Sequence, residues 1–383
     1  MSDAHVTGAP TTPRSALVTG GCGFVGSHLV DALVAAGHRV RVLDSLDPQA
    51  HEGGVARFRN DRADLVQGDL RDRDAVRRAL DGVDVVFHQG AMVGNGQSMY
   101  EIERYIDVNA VGTAVLMEEV VARRDRVQRV VAASSMVVYG DGAYSCAQHG
   151  PVRPAPRDER DLAAHLWEPR CPRCAAFVSP VPTDEDKPLG ATSPYAIGKL
   201  ASETIVLVTG SSFGIETVAL RYLNIYGRRQ ALSNPYTGVA AIFATQLRSG
   251  RRPTVFEDGG QQRDLVHVSD VVRANLLAMD APDAAGAAIN IGTGETLTIA
   301  GLARTLADEL GVDLEPDITQ RYRAGDVRHC FASTERAGRL LGFRAEANRA
   351  AELRDLAMWV ADEQPVDRTE AANAELTALG LIR

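Results

Sequence analysis

The sequence predicts an α/β protein with a doubly wound parallel sheet, a smaller C-terminal α/β domain and an insertion that contains cysteine and histidine. Three observations support this fold class. Short apolar segments alternate with helical patterns along the first half of the chain. A glycine-rich turn joins the first predicted strand to the first helix. The chain of 383 residues, 45% of them hydrophobic, is long enough to form one or two domains.

The first predicted strand, Ser15–Thr19, leads into the glycine-rich turn and then into a helix that continues to about Ala36. Glycines at this spacing allow a tight turn, close approach to a pyrophosphate and close packing of helix on sheet. The helix N-terminus offers free N–H groups to phosphate oxygens. The turn is therefore predicted to bind a dinucleotide in a Rossmann-type unit, through Gly20, Gly23, Phe24, Val25 and Gly26. The alternative is a strand–helix turn that binds nothing.

A second predicted strand, Arg39–Leu43, ends at Asp44, 18 residues after Gly26. A carboxylate at this position accepts hydrogen bonds from both ribose hydroxyls and repels a 2′-phosphate, so NAD is favoured over NADP. Further strands are predicted at Leu65–Gln67 and Val83–His88, and ligands of such sheets lie at the carboxyl ends of the strands. Additional cofactor contacts are therefore expected after these strands and on the following helix, at Asp69, Leu70, Gly90, Ala91 and Asn109.

Tyr195 and Lys199 are four residues apart in a predicted helix, which places both side chains on one face. A phenol has a pKa of about 10 and acts as an acid or base near neutral pH only where positive charge favours the phenolate. Lys199 and an oxidised nicotinamide could supply that charge. Alone, such a pair is typical of an ordinary helix surface, but a hydroxyl partner, Ser135, follows the strand at Arg129–Ala133. These three residues are the predicted catalytic group.

Four segments occur in an order that resembles the extended short-chain dehydrogenase/reductase family, and within it the NAD-dependent nucleotide-sugar 4-epimerases. The segments are Thr19–Gly26, Ser134–Gly140, Tyr195–Lys199 and Arg221–Gly227, and the resemblance covers about residues 14–345. It implies a tightly held NAD and hydride transfer from C4 of a UDP- or dTDP-linked hexose or deoxyhexose and back to the opposite face. It assigns Tyr195 as acid/base, Lys199 as its electrostatic partner and ribose ligand, and Ser135 as the second hydroxyl at the C4 oxygen.

The resemblance also implies where the substrate binds. Arg263 and Arg323 would pair with the diphosphate, which suits their planar guanidinium groups. The full set of expected substrate contacts is Ser135, Met136, Asn224, Arg263, Arg323 and Asp326. The expected domains are a disordered lead-in at 1–13, an NAD-binding domain at 14–220 with an insertion at 141–190, and a substrate-binding region at 221–383, of which parts of 265–300 return to the sheet.

Three alternative functions are compatible with this fold class. A 4,6-dehydratase of this family would carry Asp and Glu directly after the hydroxyl residue, where this chain has Met136 and Val137. A 4-ketosugar reductase would use the same residues with net redox, but it would more often require NADP, which Asp44 disfavours. A cofactor-sensing or scaffold protein would not need Ser135, Tyr195 and Lys199 together.

Two cysteine-containing pairs lie between the serine strand and the catalytic helix: Cys146 with His149, and Cys171 with Cys174. Three thiolates and one imidazole at these spacings form a closed tetrahedral zinc site, and zinc could order an insertion with few large apolar residues. His165 is an alternative ligand to His149. The competing interpretation is an unmetallated loop with buried thiols.

A net charge of −9 argues against nucleic acid and anionic membranes as partners. No signal peptide or long apolar span is recognisable, and five cysteines fit reduced thiols, so a cytoplasmic protein is expected. The family resemblance further implies a homodimer, in which the helix at about Tyr100–Arg124 and the helix from Ser193 pair across a two-fold axis.

Overall fold

The computed structural model describes residues 13–363 and 365–383, so the lead-in predicted at 1–13 lies, except for Pro13, outside the described residues. The strands in chain order are β1 (Ser15–Thr19), β2 (Arg39–Asp44), β3 (Asp64–Gln67), β4 (Val85–His88), β5 (Arg129–Ser135), β6 (Ala143–Cys146), β7 (Gly150–Val152), β8 (Ser179–Val181), β9 (Glu216–Tyr222), β10 (Asn224–Tyr226), β11 (Thr254–Val255), β12 (Gln262–Arg263), β13 (Leu265–His267), β14 (Ala288–Ile291), β15 (Leu297–Thr298) and β16 (Asp317–Ile318).

The helices in chain order are α1 (Phe24–Ala35), α2 (Arg73–Ala79), α3 (Asn95–Ser98), α4 (Ile102–Ile106), α5 (Gly112–Val121), α6 (Glu159–Ala163), α7 (Pro194–Phe213), α8 (Val239–Arg248), α9 (Val268–Asp280), α10 (Ile299–Leu310), α11 (Glu335–Leu341), α12 (Arg349–Glu363) and α13 (Thr369–Ala378). A π-helical turn, Asp107–Val111, joins α4 to α5, so the helix predicted at about Tyr100–Arg124 is present but irregular. Within the described ranges, none of the helices combines the length and apolar character that a bilayer crossing needs.

Seven parallel strands form the main sheet in the order β14-β9-β5-β4-β1-β2-β3. The predicted doubly wound α/β fold is therefore confirmed. Successive residues of a strand face opposite sides of the sheet. Along β1, Ala16 and Val18 pack with α1 and α9 on one face, whereas Leu17 packs with α2 and α5 on the other. Because helices pack on both faces of the sheet, its strands are almost wholly apolar.

A smaller unit follows β9, in which α8, α10 and α12 pack around a separate apolar core that includes Phe243, Leu302 and Trp359. The segment from Thr254 to His267 contains three short strands, none of which pairs with another of the three. Its short strands pair with distant partners instead: β11 with β16, β12 with β15, and β13 with β10. The chain then returns to the main sheet, because β14 pairs with β9.

The insertion forms a small antiparallel sheet in the order β7-β6-β8, together with α6. Its own core is limited to a few side chains, including Tyr144, Cys146, Cys171 and Val178. So small a core buries little apolar surface, and the insertion therefore depends on other interactions for its order.

A buried ion pair ties the helix α7 to the sheet. Glu203 on α7 binds Arg221 on β9 with two hydrogen bonds of 2.7 and 3.0 Å, and both side chains are about 5% exposed or less. Ser134 on β5 donates to the same carboxylate at 2.5 Å. Arg221 also donates to the hydroxyl of Tyr139 at 2.8 Å. The carboxylate of Glu203 thus fixes α7, β5 and β9 relative to one another.

Replacing Glu203 with Gln removes the only negative charge of this pair and leaves the Arg221 cation buried. We expect the free energy of unfolding, measured by urea denaturation, to fall by about 3 kcal/mol. Glu118→Gln is the matched control, since Glu118 is 62% exposed and pairs with an exposed arginine, Arg73. The control should lose no more than about 1 kcal/mol. Equal losses in the two variants would contradict the importance of the buried pair.

Candidate functional site

A cavity of about 1040 Å³ opens at the carboxyl ends of the central strands. Most of the residues predicted to form a site line this cavity. They are Gly20, Gly23, Phe24, Val25, Gly26, Asp44, Asp69, Leu70, Gly90, Ala91, Ser135, Met136, Tyr195, Lys199 and Asn224. Four predicted residues are not part of its lining: Asn109, Arg263, Arg323 and Asp326.

The glycine-rich turn has no room for side chains. A Cβ at Gly20, whose φ is +65°, would lie 2.7 Å from the Cα of Gly90. A Cβ at Gly26 would lie 2.0 Å from the carbonyl oxygen of Gly20. Within the described chain, α1 has no side-chain cap and no acidic residue in its first turn, so its N-terminal N–H groups are available to an anion. This cradle fits a pyrophosphate.

Asp44 lies at the end of β2 and accepts hydrogen bonds of 2.9 Å from the backbone N–H groups of Cys22 and Leu46. His51, which the sequence reasoning missed, lies with Nε2 3.3 Å from the same carboxylate. Burial raises the pKa of Asp44, but the hydrogen bonds from His51, Leu46 and Cys22 outweigh it, so the pKa lies below its ordinary value. Asp44 is therefore an ionised acceptor at the position expected for a ribose.

Ser135, Tyr195 and Lys199 meet where β5 ends beside the first turns of α7. Ser193 caps α7 by accepting a hydrogen bond of 3.2 Å from the N–H of Ala196, which fixes the start of this helix. Tyr195 and Lys199 are both buried, and Ser135 lines the same cavity. Lys199 donates from Nζ to the carbonyl oxygen of Ala133.

The two titratable groups have shifted pKa values. Burial raises the pKa of Tyr195 to about 12, although the nearby hydroxyl of Ser135 lowers it in part. Burial lowers the pKa of Lys199 to about 8, and the negative charge of Glu203 opposes that shift. At neutral pH the cavity therefore holds a protonated lysine beside a neutral phenol. Further positive charge is needed before the phenol can ionise.

The four residues outside the lining have partners of their own. Asn109 accepts a hydrogen bond of 2.8 Å from the N–H of Met92 and so fixes the loop after β4. Arg263 donates to the carbonyl oxygens of Val327 and Arg328. Asp326 accepts from the N–H of Val327 at 3.0 Å. These contacts hold backbone segments and do not face the cavity, so the binding roles of these residues remain predictions.

Arg323 is a different case. Its guanidinium carbon lies 4.1 Å from the centre of the Phe256 ring, and its hydrogen bond to Asn373 is long, at 3.4 Å. Its Nε has no hydrogen-bond partner among the described residues. Arg323 is half-buried, and burial lowers its pKa while the nearby anion Asp326 raises it. The buried Nε without a partner nevertheless leaves a donor free for an anionic ligand.

The C-terminal segment contributes residues that the sequence reasoning missed. Trp359 and Arg368 line the cavity, and so does Glu375 on α13. The hydroxyl of Tyr100 donates to Glu375 at 3.1 Å and lies 2.9 Å from the hydroxyl of Tyr236. In the sequence this segment shows only an alanine- and glutamate-rich helical pattern. Nothing in that pattern indicates that the helix returns to cover the site.

The four predicted metal ligands in the insertion converge, with all ligand atoms within 4.8 Å of one another. The Nδ1 of His149 is 3.6 Å from the sulfurs of Cys146 and Cys171, and the sulfurs of Cys146 and Cys174 are 3.7 Å apart. Zn–S bonds of about 2.3 Å in a tetrahedron require S···S distances of about 3.8 Å. The alternative ligand His165 stacks on Trp167 and is not part of this group.

The glycine cradle, the carboxylate at the end of β2 and the serine, tyrosine and lysine in one cavity define a class of protein: a Rossmann-fold enzyme built around a dinucleotide. The chain belongs to the NAD dependent epimerase/dehydratase family, whose model matches residues 16–163 and 174–292. The membership expected from the sequence is confirmed.

Among its relatives, the dTDP-L-rhamnose 4-epimerase of Burkholderia thailandensis is 32% identical over 95% of this chain and 99% of its own length. The crystal structure of UDP-glucose 4-epimerase with UDP-glucose from Thermotoga maritima has a TM-score of 0.73 at 28% identity and covers 91% of this chain and 99% of its own. The Thermus thermophilus UDP-glucose 4-epimerase complex with NAD has a TM-score of 0.71 at 29% identity, with the same two coverages.

The pKa of Lys199 gives a pH-dependent stability. Below about pH 8 both the folded and the unfolded chain carry its proton, whereas between about 8 and the ordinary value of 10.5 only the unfolded chain does. The contribution of Lys199 to stability therefore rises with pH across that window. In nucleotide-free protein, the free energy of unfolding of wild type relative to Lys199→Met should rise by about 3 kcal/mol between about pH 7 and pH 10. A difference that stays flat with pH would contradict the lowered pKa.

Proposed function

We propose that the protein is an NAD-dependent nucleotide-sugar 4-epimerase acting on a UDP- or dTDP-linked hexose or deoxyhexose. The observation that carries this proposal is the convergence of Ser135, Tyr195 and Lys199 on one cavity that also contains the glycine cradle. The activities named for the relatives support the same reaction.

The protein would move a proton at the C4 oxygen of the sugar. Tyr195 accepts the proton of the C4 hydroxyl and returns it after the keto sugar has rotated to present its other face. Ser135 hydrogen-bonds the same oxygen and orients it. Lys199 stabilises the phenolate with its positive charge. When bound, NAD supplies a hydride acceptor and then a hydride donor at C4. The high pKa of the unliganded Tyr195 fits this scheme, because it keeps the base inactive until positive charge is added nearby.

The cofactor would lie along the carboxyl ends of β1, β2 and β4. Gly20, Gly23 and Gly26, with the N–H groups of Phe24 and Val25, are proposed to hold the pyrophosphate. Asp44 is proposed to accept hydrogen bonds from the adenosine ribose and to disfavour NADP. The remaining proposed contacts are Asp69, Leu70, Gly90, Ala91 and Asn109, with Tyr195 and Lys199 at the nicotinamide ribose. Residues 14–220 would thus form the NAD-binding domain, with residues 221–383 supplying most of the substrate side.

Arg323 is proposed as a substrate contact because its Nε has no hydrogen-bond partner among the described residues. The two negative charges of a nucleotide diphosphate would balance it. Asn224 and Met136 line the cavity, and we propose that they contact the nucleotide sugar. Arg263 and Asp326 would act on the same diphosphate or on the backbone that presents it.

The residues after Ser135 argue against the dehydratase reaction. Met136 and Val137 line the cavity where a dehydratase needs a carboxylic acid and a carboxylate. Neither side chain can transfer a proton. Loss of water is therefore not expected of this site.

Purified protein incubated with UDP- and dTDP-hexoses, without added nicotinamide, should give an isomer of unchanged mass, detected by chromatography and mass spectrometry. Tyr195→Phe should reduce kcat about 10²- to 10⁴-fold because the proton acceptor is lost. The NAD content of the variant, measured after denaturation, is the control for intact cofactor binding.

Three outcomes would contradict the assignment. A product lighter by one water would make the protein a dehydratase. Product that forms only with stoichiometric added nicotinamide would make it an oxidoreductase such as a 4-ketosugar reductase. Full turnover by Tyr195→Phe would remove the acid/base role from Tyr195.

We also propose that Cys146, His149, Cys171 and Cys174 bind a structural zinc ion. The ligand distances support it, and all four positions of the tetrahedron would be filled by protein, which leaves no open position for catalysis. The five cysteines are free thiols, in keeping with a proposed location in the cytoplasm, where thiols remain reduced.

A homodimer is proposed from the apolar surface of the helices. Ile102 and Val111, at the ends of the α4 and π-turn segment, are about half exposed, as are Ile197 and Val208 on α7. These side chains lie on the two helices that the family resemblance pairs across a two-fold axis. Exposed apolar groups on adjacent helices favour such an interface.

Native mass spectrometry can test this composition in one measurement. The expected species contains two chains, two zinc ions and two NAD molecules. A double variant, Cys171→Ser with Cys174→Ser, should lose zinc because two thiolate ligands are removed. Cys330→Ser is the matched control, since Cys330 is buried outside the cluster, and it should keep zinc. A zinc-free wild-type protein would contradict the metal site, and a single-chain species would contradict the dimer.

A further inference from the structure

The insertion is joined to the substrate side of the protein by a buried group of charges. We name this group the charged junction. It comprises Arg157 and Glu168 of the insertion and Glu257, Asp258 and Arg328 of the smaller unit. The junction contains none of the proposed catalytic residues, and neither the proposed proton transfer nor cofactor binding uses it.

Arg328 is the centre of the charged junction and is 2% exposed. It donates to Glu257 at 2.9 Å and to Asp258 at 2.7 Å. Its other nitrogens donate to a single oxygen of Glu168, at 2.6 and 3.0 Å. The insertion thus supplies one of the three carboxylates that surround this buried cation.

His329 adds a further contact to Glu168. Its Nδ1 accepts a hydrogen bond of 3.0 Å from the N–H of Gln262, so its proton is on Nε2. Nε2 lies 2.8 Å from the second carboxylate oxygen of Glu168 and donates to it. Both oxygens of Glu168 are therefore used to hold two consecutive residues, Arg328 and His329.

Arg157 makes the second connection from the insertion. It donates to the carboxylate of Glu257 at 2.7 Å and to the carbonyl oxygen of Asp326 at 3.0 Å. The side chain of Arg157 is only 7% exposed, so its hydrogen bonds are shielded from water and from screening by salt. The backbone at 326–329 is accordingly held from the insertion side at two points.

Glu168 lies close in sequence to the proposed metal ligands. Glu168 precedes Cys171 by three residues, and the turn that carries Cys171 and Cys174 is closed by two backbone hydrogen bonds. Cys171 N–H donates to Ala176 at 2.7 Å, and Val178 N–H donates to Pro169 at 3.0 Å. Since the apolar core of the insertion is small, a metal at the four ligands would be the main constraint on this turn.

The backbone segment 326–329 contacts one of the two arginines proposed to bind the diphosphate and closely follows the other in sequence. Arg263 donates to the carbonyl oxygens of Val327 and Arg328, and Arg323 precedes this segment by three residues. Any shift of 326–329 would therefore move the acceptors of Arg263 and the backbone next to Arg323.

We propose that Arg157 and Glu168 are positioning residues, through which the metal-bound insertion fixes the segment 323–329 for recognition of a nucleoside diphosphate. This inference rests on the proposed nucleotide-sugar substrate. The insertion is then a structural part of substrate binding, and zinc loss would weaken substrate binding without a change at Tyr195.

The test compares wild type, Glu168→Gln and Arg160→Gln by calorimetric titration with dTDP and with UDP. Glu168→Gln keeps the size of the side chain but removes the charge that two donors share, so the Kd should rise about tenfold. Arg160→Gln is the control within the insertion, because Arg160 is 93% exposed, and its Kd should match wild type. Zinc and NAD contents should be equal in all three proteins, and kcat should change by less than about twofold while KM rises.

A second variant, Arg157→Lys, tests the same role independently, so that a folding defect in Glu168→Gln alone would be recognised. It keeps the charge but cannot reach Glu257 and Asp326 together, so its Kd should rise as well. Unchanged affinity in both variants, with wild type binding normally, overturns the positioning role alone. If wild type binds neither dTDP nor UDP, the proposed function fails, and the inference fails with it.

Discussion

The carboxylate of Glu203 is the interaction on which the rest of the site depends. It joins Arg221 of β9, Ser134 of β5 and its own helix α7 in a region without solvent. Ser134 precedes Ser135, and Glu203 follows Lys199 by one helical turn. One buried charge therefore sets the distance between the strand end and the helix that together carry the proposed chemistry. Its negative charge also keeps Lys199 easier to protonate than burial alone would allow.

Without a ligand, the ionised forms of several groups in the site are only partly stabilised by nearby opposite charge. Burial raises the pKa of Tyr195 and lowers that of Lys199, so both groups are held closer to neutrality than in water. Arg323 likewise has a buried Nε without a hydrogen-bond partner among the described residues, and burial lowers its pKa. A positive cofactor ring beside the phenol and a negative diphosphate beside the guanidinium would correct these two imbalances separately. The cofactor and the diphosphate would therefore each supply charge that the protein itself provides only in part at that position.

The features that could be predicted from the sequence are those that short segments determine. The turn at Gly20–Gly26, the end of β2 at Asp44 and the pair Tyr195 and Lys199 each depend on spacing within one segment. Because the carboxyl ends of parallel strands lie at one edge of the sheet, the sequence also predicts that these residues share one cavity. The pairings of β11, β12 and β13 could not be predicted, because each partner lies far along the chain and is chosen by packing. The same is true of Glu375, which lies far from Tyr100 in sequence but is hydrogen-bonded to it in the structure.

The partners of Arg263 show why a motif does not determine a contact. Its residue type and its position in the sequence both suit a phosphate, yet the carbonyl oxygens of Val327 and Arg328 occupy its donors. Arg328 in turn is held by Glu168, which belongs to an insertion that the family's motifs do not include. The insertion separates Tyr139 from Tyr195 in sequence, but its charged side chains contact the smaller unit at Glu257, Asp326 and Arg328. An element added between two catalytic segments can therefore act on substrate binding through the backbone that it supports, and leave the catalytic residues themselves unchanged.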